Sequence, residues 1–266
     1  MNKELMMRDE FSLDGQVALI TAGAKGLGQG IALELAQCGA DVRIWDSDEE
    51  ALSGIKNDFD SRGLRIGILR VDLMDTGALV DAYESLLRDS LGPQILINNA
   101  GGSLHTPFQF LNETDEDWAR VIELNLMTTV RITRLVLPGM VASGYGRIVN
   151  LGSKAGRYGS LFAGANYVAV KGAVHSLTLQ LAQEYGPKGI TVNTVCPGAI
   201  MTERVKGLLA ERQSPAERQR ILNEIPVRRH GEVEDVARTV RFLVSKRAGF
   251  LTGSLIDVNG GQVMCT

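Results

Sequence analysis

The chain predicts an α/β fold, a doubly wound parallel sheet of seven strands with helices on both faces. Short runs rich in Val, Ile and Leu, as strands buried on both faces should be, alternate with longer segments whose apolar residues recur at helical spacing. The alternation is never interrupted by a Pro-, Gly- or Ser-rich linker or an internal repeat, which argues for repeated strand-helix-strand units in one domain. At 266 residues and 44% apolar content, the chain can fill one large core.

The strands are expected at Val17–Thr21, Val42–Trp45, Ile66–Val71, Ile95–Asn98, Arg147–Leu151, Thr191–Val195 and Leu255–Val258. Helices are expected at Gly28–Gln37, Glu49–Arg62, Gly77–Ser90, Asp115–Val141, Ala165–Tyr185 and Val233–Val244, each with charges off its apolar stripe. Residues 1–12 form a short extension. Ala199–Arg229 is irregular and reads as a helical insertion of the kind that covers a substrate site.

Composition excludes several classes of function. A formal net charge of −3 and a pI near 5.7 leave no positive field for nucleic acid. The charged residues among Met1–Ser12 break up any secretory core, and no later run is long enough to span a membrane. Cys38, Cys196 and Cys265 form no CxxC pair and read as free thiols of a reducing cytoplasm. His105, His175 and His230 have no ligand spacing and no HExxH occurs, so no metal is expected.

After the first strand, Thr21-Ala22-Gly23-Ala24-Lys25-Gly26-Leu27-Gly28 leads into a helix pattern. Glycines there let backbone N–H groups approach a pyrophosphate, and the helix N-terminus adds its dipole. The second strand ends at Asp46, eighteen positions beyond Gly28, close to the roughly 20-residue offset at which an acid meets the adenosine ribose. Asp46 would repel a 2′-phosphate and predicts NAD; Lys25 would attract one and favours NADP. Asp46 carries more weight because it meets the ribose directly, although a capping role before the next helix is also open to it.

These residues resemble the short-chain dehydrogenase/reductase family from about Gly15 to the C-terminus. The turn resembles the family's TGxxxGxG. Asp72, with Leu73, resembles its adenine-contacting position, and Asn98-Asn99-Ala100-Gly101 matches its NNAG. Asn125, Ser153, Tyr167 and Lys171 fall in the family's catalytic order. Pro197-Gly198, with Ile200 and Thr202, resembles the turn that seats the nicotinamide carboxamide, and Asn259-Gly260-Gly261 resembles its ending. Two departures stand out. Ala22 replaces the turn's first Gly, with Gly23 next to it as a source of flexibility. The step from Ser153 to Tyr167 is one residue longer than usual, predicting a looser loop at Arg157–Gly164 and making Ser160 a fallback hydroxyl.

The resemblance implies a Rossmann-type oxidoreductase that moves a hydride between NAD, or less favourably NADP, and a secondary alcohol or ketone. NAD-dependent oxidation of a sugar, polyol, hydroxy acid or cyclic alcohol is the leading expectation. The turn's Thr21, Gly23, Lys25, Gly26, Leu27 and Gly28 would hold the cofactor together with Asp46, Asp72, Leu73, Asn99, Ala100, Gly101, Tyr167, Lys171, Pro197, Gly198, Ile200 and Thr202. Lys171 would grip the nicotinamide ribose, Ser153 the reacting oxygen, and Asn125 a proton-relaying water. The resemblance also implies a homotetramer built on the two long helices, which a monomer in light scattering would overturn.

Tyr167 and Lys171 are four apart and share a helix face, so a nearby ammonium is expected to lower the phenol's pKa and make it a usable base. Ser103, His105, Arg157, Ser160 and Arg204 are candidates to face the substrate. Arg204 or Arg212 would suit an anionic handle such as a carboxylate, a sulfonate or a thioester carrier, against the alternative of a solvated lid helix. A 3-oxoacyl-carrier-protein reductase on NADPH is the rival within enzymes, and a dinucleotide-binding sensor without turnover the rival outside them. A serine hydrolase fails because Leu151-Gly152-Ser153-Lys154-Ala155 is not GxSxG.

Overall fold

The computed structural model describes residues 11–90, 92–160, 163–212 and 214–264. Most of the extension at 1–12, Leu161 of the loop expected at Arg157–Gly164, and Cys265 therefore lie outside the described residues.

Seven parallel strands form one sheet in the order β3-β2-β1-β4-β5-β6-β7. They are β1 (Val17–Thr21), β2 (Asp41–Asp46), β3 (Ile66–Arg70), β4 (Ile95–Asn98), β5 (Gly146–Leu151), β6 (Ile190–Pro197) and β7 (Leu255–Val258). Every residue of β1, β4, β5 and β6 is buried, which is why these strands are rich in Val, Ile and Leu.

One apolar cluster lies under α1 (Gly26–Gln37), α2 (Glu49–Ser61) and α10 (Val233–Val244), with Ile31, Leu35, Phe59 and Val240 fully buried. The other lies on the opposite face under α3 (Thr76–Asp89) and α5 (Thr128–Ser143), around Trp45, Leu79, Ile132 and Val136. Strand order reverses between β1 and β4, so the crevice at their carboxyl ends is where an open α/β sheet takes a ligand.

Two local features, in Asp115–Val141 and in the Gly-rich turn, depart from the sequence-based expectation, while the insertion is helical as expected. Asp115–Val141 is not one helix. It runs as α4 (Asp115–Ile122), a π-turn (Glu123–Met127) and α5. The extra residue in the turn lets the Asn125 side chain leave the helix and meet the Gly102 backbone. The insertion divides into α8 (Glu203–Arg212) and α9 (Pro215–Glu224), the second started by Ser214 and Glu217 in a capping box with Pro215 in the first turn.

In the Gly-rich turn, Ala22 itself adopts φ 50°, and Gly23 is not among the positive-φ positions. Gly23 is needed for space instead, because a Cβ there would lie 2.9 Å from Ile44. The left-handed backbone costs Ala about 1–2 kcal/mol. Ala22→Gly is therefore expected to stabilise the fold by roughly 0.5–1 kcal/mol after the unfolded-state entropy of Gly. A thermal melt showing no gain would place the strain elsewhere.

Candidate active site

A cleft of about 820 Å³ opens at the strand-order reversal and runs from Asp46 past the N-terminus of α1 to Tyr167 and Lys171. The N-terminus of α1 has no side-chain cap and no acid in its first turn, so its backbone donors are left for an anion. Gly28 brings that helix against the turn. A Cβ at this position would meet the Ala22 carbonyl at 2.5 Å and the Asn99 amide nitrogen at 2.7 Å.

The predicted cofactor residues divide between the cleft wall and its backing. Lys25, Gly26, Leu27 and Asp46 line one end. Asn99, Gly101, Pro197, Gly198, Ile200 and Thr202 line the remainder with Tyr167 and Lys171. Thr21, Gly23, Gly28 and Ala100 are not on the wall; they shape it. The Thr21 hydroxyl accepts from the Asn99 and Ala100 N–H groups, each at 3.0 Å. The Asn99 amide donates to the Thr21 and Ala22 carbonyls, tying the NNAG turn to the Gly-rich turn. Asp72 is exposed, outside the wall, and accepts from Met74 N–H, while Leu73 is buried in the core.

At the ribose end, Asp46 accepts from the Ala24 and Asp48 N–H groups, each at 3.1 Å, so its carboxylate is pinned beside the Gly-rich turn. It does not cap α2. Asp48 does, accepting from Ala51 N–H. Lys25 is paired with Asp48 at 2.6 Å, which leaves less of its charge for a phosphate than the sequence suggests.

At the other end, α7 (Ala165–Tyr185) carries Tyr167 and Lys171, and Ser153 stands just past β5. Ser153 and Tyr167 line the cleft together, near enough for Ser153 to favour the phenolate, and Ser153 accepts from Ala155 N–H. The longer step between them is thus absorbed without taking either residue off the cleft wall. Ser160 is not among the residues that line the cleft.

Lys171 is 4% exposed and donates to the Leu151 carbonyl at 2.7 Å; its ammonium lies 5.7 Å from the Tyr167 ring centre. Burial, followed by the charge of Arg204, pushes its pKa down to about 8. The expected lowering of the Tyr167 pKa is overturned. Burial of the phenol raises it, against weaker lowering by Ser153 and Arg204. One Lys171 N–H is committed to the Leu151 carbonyl, and burial of the phenol prevails over the lowering influences around it.

Asn125 is fully buried, and its side chain is occupied by backbone. Oδ1 accepts from Gly102 N–H, while the amide donates to the Gly102 and Val121 carbonyls. Both amide protons are used, so the side chain fixes the Gly101–Gly102 segment beside Lys171 and has little left to hold a water. Sequence reading missed Gly102 and the Leu151 carbonyl, since a backbone partner leaves no side-chain signal.

Among the predicted substrate residues, only Arg204 lines the cleft. Arg157 turns the other way, paired with Asp257 of β7 at 2.6 Å and donating to the Leu255 carbonyl. A carboxylate on a sheet strand requires that partner, and the pair fastens α6 (Ala155–Tyr158) to the sheet. His105 is exposed at φ 57° and off the wall; Ser103 is off it too, its carbonyl accepting from Thr106. The Arg212 side chain lies outside the described residues. No cluster able to hold a metal occurs among the described residues.

A family model described as "Enoyl-(Acyl carrier protein) reductase", of the short-chain alcohol dehydrogenase type, matches residues 21–262. This chain is a short-chain dehydrogenase/reductase. It is 39% identical over 263 residues to 2,3-dihydroxy-2,3-dihydro-p-cumate dehydrogenase of Pseudomonas putida, covering 97% of this chain and 98% of that protein. It is 35% identical over 254 residues to a 3-oxoacyl-[acyl-carrier-protein] reductase of Pseudomonas aeruginosa, covering 95% and 99%.

Among solved structures, a 3-oxoacyl-[acyl-carrier protein] reductase with bound NAD from Brucella melitensis superposes with a TM-score of 0.87 at 30% identity, covering 100% of this chain and 97% of that one. An Agrobacterium tumefaciens reductase with NADP bound gives 0.88 at 27% identity, covering 97% and 98%. The chain is thus a nicotinamide-dependent oxidoreductase of CH–OH or keto groups. The sensor reading falls away.

Proposed function

We propose that this short-chain dehydrogenase uses NAD in preference to NADP and oxidises a secondary alcohol of a small hydroxylated molecule, with Tyr167, Ser153 and Lys171 as its working groups. The observation that carries the cofactor preference is the pinned carboxylate of Asp46 in the cleft wall, with Lys25 held by Asp48. The wall fits a dinucleotide. An uncapped helix start would take the pyrophosphate, Asp46 the adenosine ribose, and Lys171 the nicotinamide ribose.

The cofactor supplies a hydride acceptor or donor. Ser153 orients the substrate oxygen, and Tyr167 takes its proton during oxidation or returns one during reduction. The ammonium of Lys171 favours negative charge developing on that oxygen. Asn125, through Gly102, holds the loop that borders Lys171.

The Pseudomonas putida relative is named for a dihydroxy substrate and the Pseudomonas aeruginosa relative for a 3-oxoacyl carrier thioester. The second reading, an NADPH-dependent 3-oxoacyl reductase, draws support from the family description and from a phenol held protonated by burial. Asp46 weighs against it. We also retain a homotetramer in a reducing cytoplasm. The exposed Phe110, Leu111 and Phe250 support contact between copies, and Cys38 and Cys196 are free thiols. No helix among the described residues is long and apolar enough to cross a membrane.

Fluorescence titration with NADH and NADPH tests the preference. The wild type is expected to bind NADH about 10- to 100-fold tighter, and Asp46→Ala to lose most of that difference by admitting NADPH. Tighter NADPH binding by the wild type would put the reductase reading first.

A further inference from the structure

Arg204 is an unusual charge for a cleft wall. It starts α8, yet its guanidinium reaches back to the other side of the cleft, where it donates to the Gly101 carbonyl at 3.3 Å. It also lies over Gly102, where a Cβ would be 2.7 Å from its Nη1. Among the described residues no carboxylate pairs with it. Several other lid cations differ: Lys206 is paired with Glu203, Arg220 with Glu224, and Arg229 with Asp235. Ile200, Met201 and Val205 line the same wall with Glu203, so the cleft offers apolar surface as well as charge.

Its charge reaches the reacting groups, since both Tyr167 and Lys171 feel it. Two cations therefore face the end of the cleft that holds Tyr167, and the exposed one, Arg204, has most of its planar set of donors uncommitted. A guanidinium in that state, with one weak backbone contact, is suited to a bidentate anion.

We propose that Arg204 selects substrates carrying a carboxylate on an apolar carbon skeleton, the guanidinium holding that carboxylate while the hydroxyl to be oxidised meets Tyr167 and Ser153. The proposal rests on the dehydrogenase reading above. A small carboxylate fits better than an acidic carrier protein. Arg204 points into the cleft, and the lid cations that would face such a protein are mostly neutralised by neighbours. A carboxylate on Arg204 would also relieve the repulsion between Arg204 and Lys171.

Calorimetry with cyclohexanecarboxylate and its uncharged isostere cyclohexanecarboxamide tests this on the full chain, with and without saturating NADH. Wild type is expected to bind the carboxylate about 10- to 100-fold tighter than the amide. Arg204→Gln should erase that preference and Arg204→Lys keep part of it. No measurable preference in the wild type, or one that survives Arg204→Gln, overturns the proposal.

NADH affinity separates this role from service to the cofactor. It is expected to stay within about twofold in Arg204→Gln, because the interaction is with the substrate. A tenfold weakening would assign Arg204 to the dinucleotide and overturn the proposal. Failure of the dehydrogenase reading would show separately, as absent NADH binding, while the carboxylate preference is still read from the cofactor-free chain.

Discussion

Tyr167→Phe is expected to lower kcat by about 10²- to 10⁴-fold while NADH affinity stays within a few-fold of the wild type. Phe keeps the ring beside Lys171 and loses only the hydroxyl. The pH profile adds a second signature. Burial raises the Tyr167 pKa, so wild-type oxidation should accelerate as pH rises into the alkaline range, because the phenol must give up its proton before it can accept the substrate's. Residual oxidation by the Phe variant should lack that dependence. A variant that keeps both its rate and its alkaline rise would remove Tyr167 from the proton path.

The second large effect separates activity from stability. Lys171→Met is expected to reduce turnover by about 10²- to 10³-fold through loss of the positive charge beside the reacting oxygen. The cofactor-free protein should nevertheless become more stable near neutral pH. A lysine that titrates near 8 when folded and at its ordinary 10.5 when unfolded binds fewer protons in the folded state between those values.

Stability therefore rises with pH across that window, and the full cost of the buried ammonium is present below about pH 8. That cost is about 3 kcal/mol, from which the unpaired Leu151 carbonyl of the variant subtracts, leaving a gain of roughly 1–2 kcal/mol. In melts from pH 6.5 to 10, the variant should lie a few degrees above wild type at the acid end and fall below it at the alkaline end, where only the lost Leu151 hydrogen bond still counts. Parallel curves would mean that Lys171 is not a strained cation.

The wild type would then carry an instability that its chemistry requires. Asn125 fits the same pattern. A π-turn interrupts a long helix so that one amide can satisfy both polar groups of Gly102 beside Lys171. Backbone regularity is given up where the site needs a loop held in place.

How much of this is legible in the sequence depends on where each hydrogen bond ends. The seven strands are legible because burial makes them rich in Val, Ile and Leu, most fully in β1, β4, β5 and β6, and three of them, Val17–Thr21, Ile95–Asn98 and Leu255–Val258, have the expected bounds. Tyr167, Lys171 and Ser153 converge as their spacing and order suggest. The π-turn is not legible, since its residues keep helical periodicity and its purpose is a backbone partner more than twenty residues away.

Arg157 misleads for a related reason. Its place in a loop near the site suggests solvent or substrate, yet its partner Asp257 arrives from the last strand. Lys25 and Asp46 pull in opposite directions in the sequence, with Asp46 the heavier, and the structure adds that Asp48 is paired with Lys25. Ala22 shows the converse. A glycine pattern implies a flexible neighbour, but the positive φ falls on the alanine itself.

Deuterium transfer tests the central claim most directly. The wild type would be incubated with NAD and a panel of secondary alcohols and vicinal diols carrying deuterium on the carbinol carbon. With at least one of them, deuterium is expected at C4 of the reduced nicotinamide at a rate that Tyr167→Phe lowers at least about 10²-fold. Reduced cofactor without deuterium, or transfer that Tyr167→Phe leaves unchanged, would contradict the account.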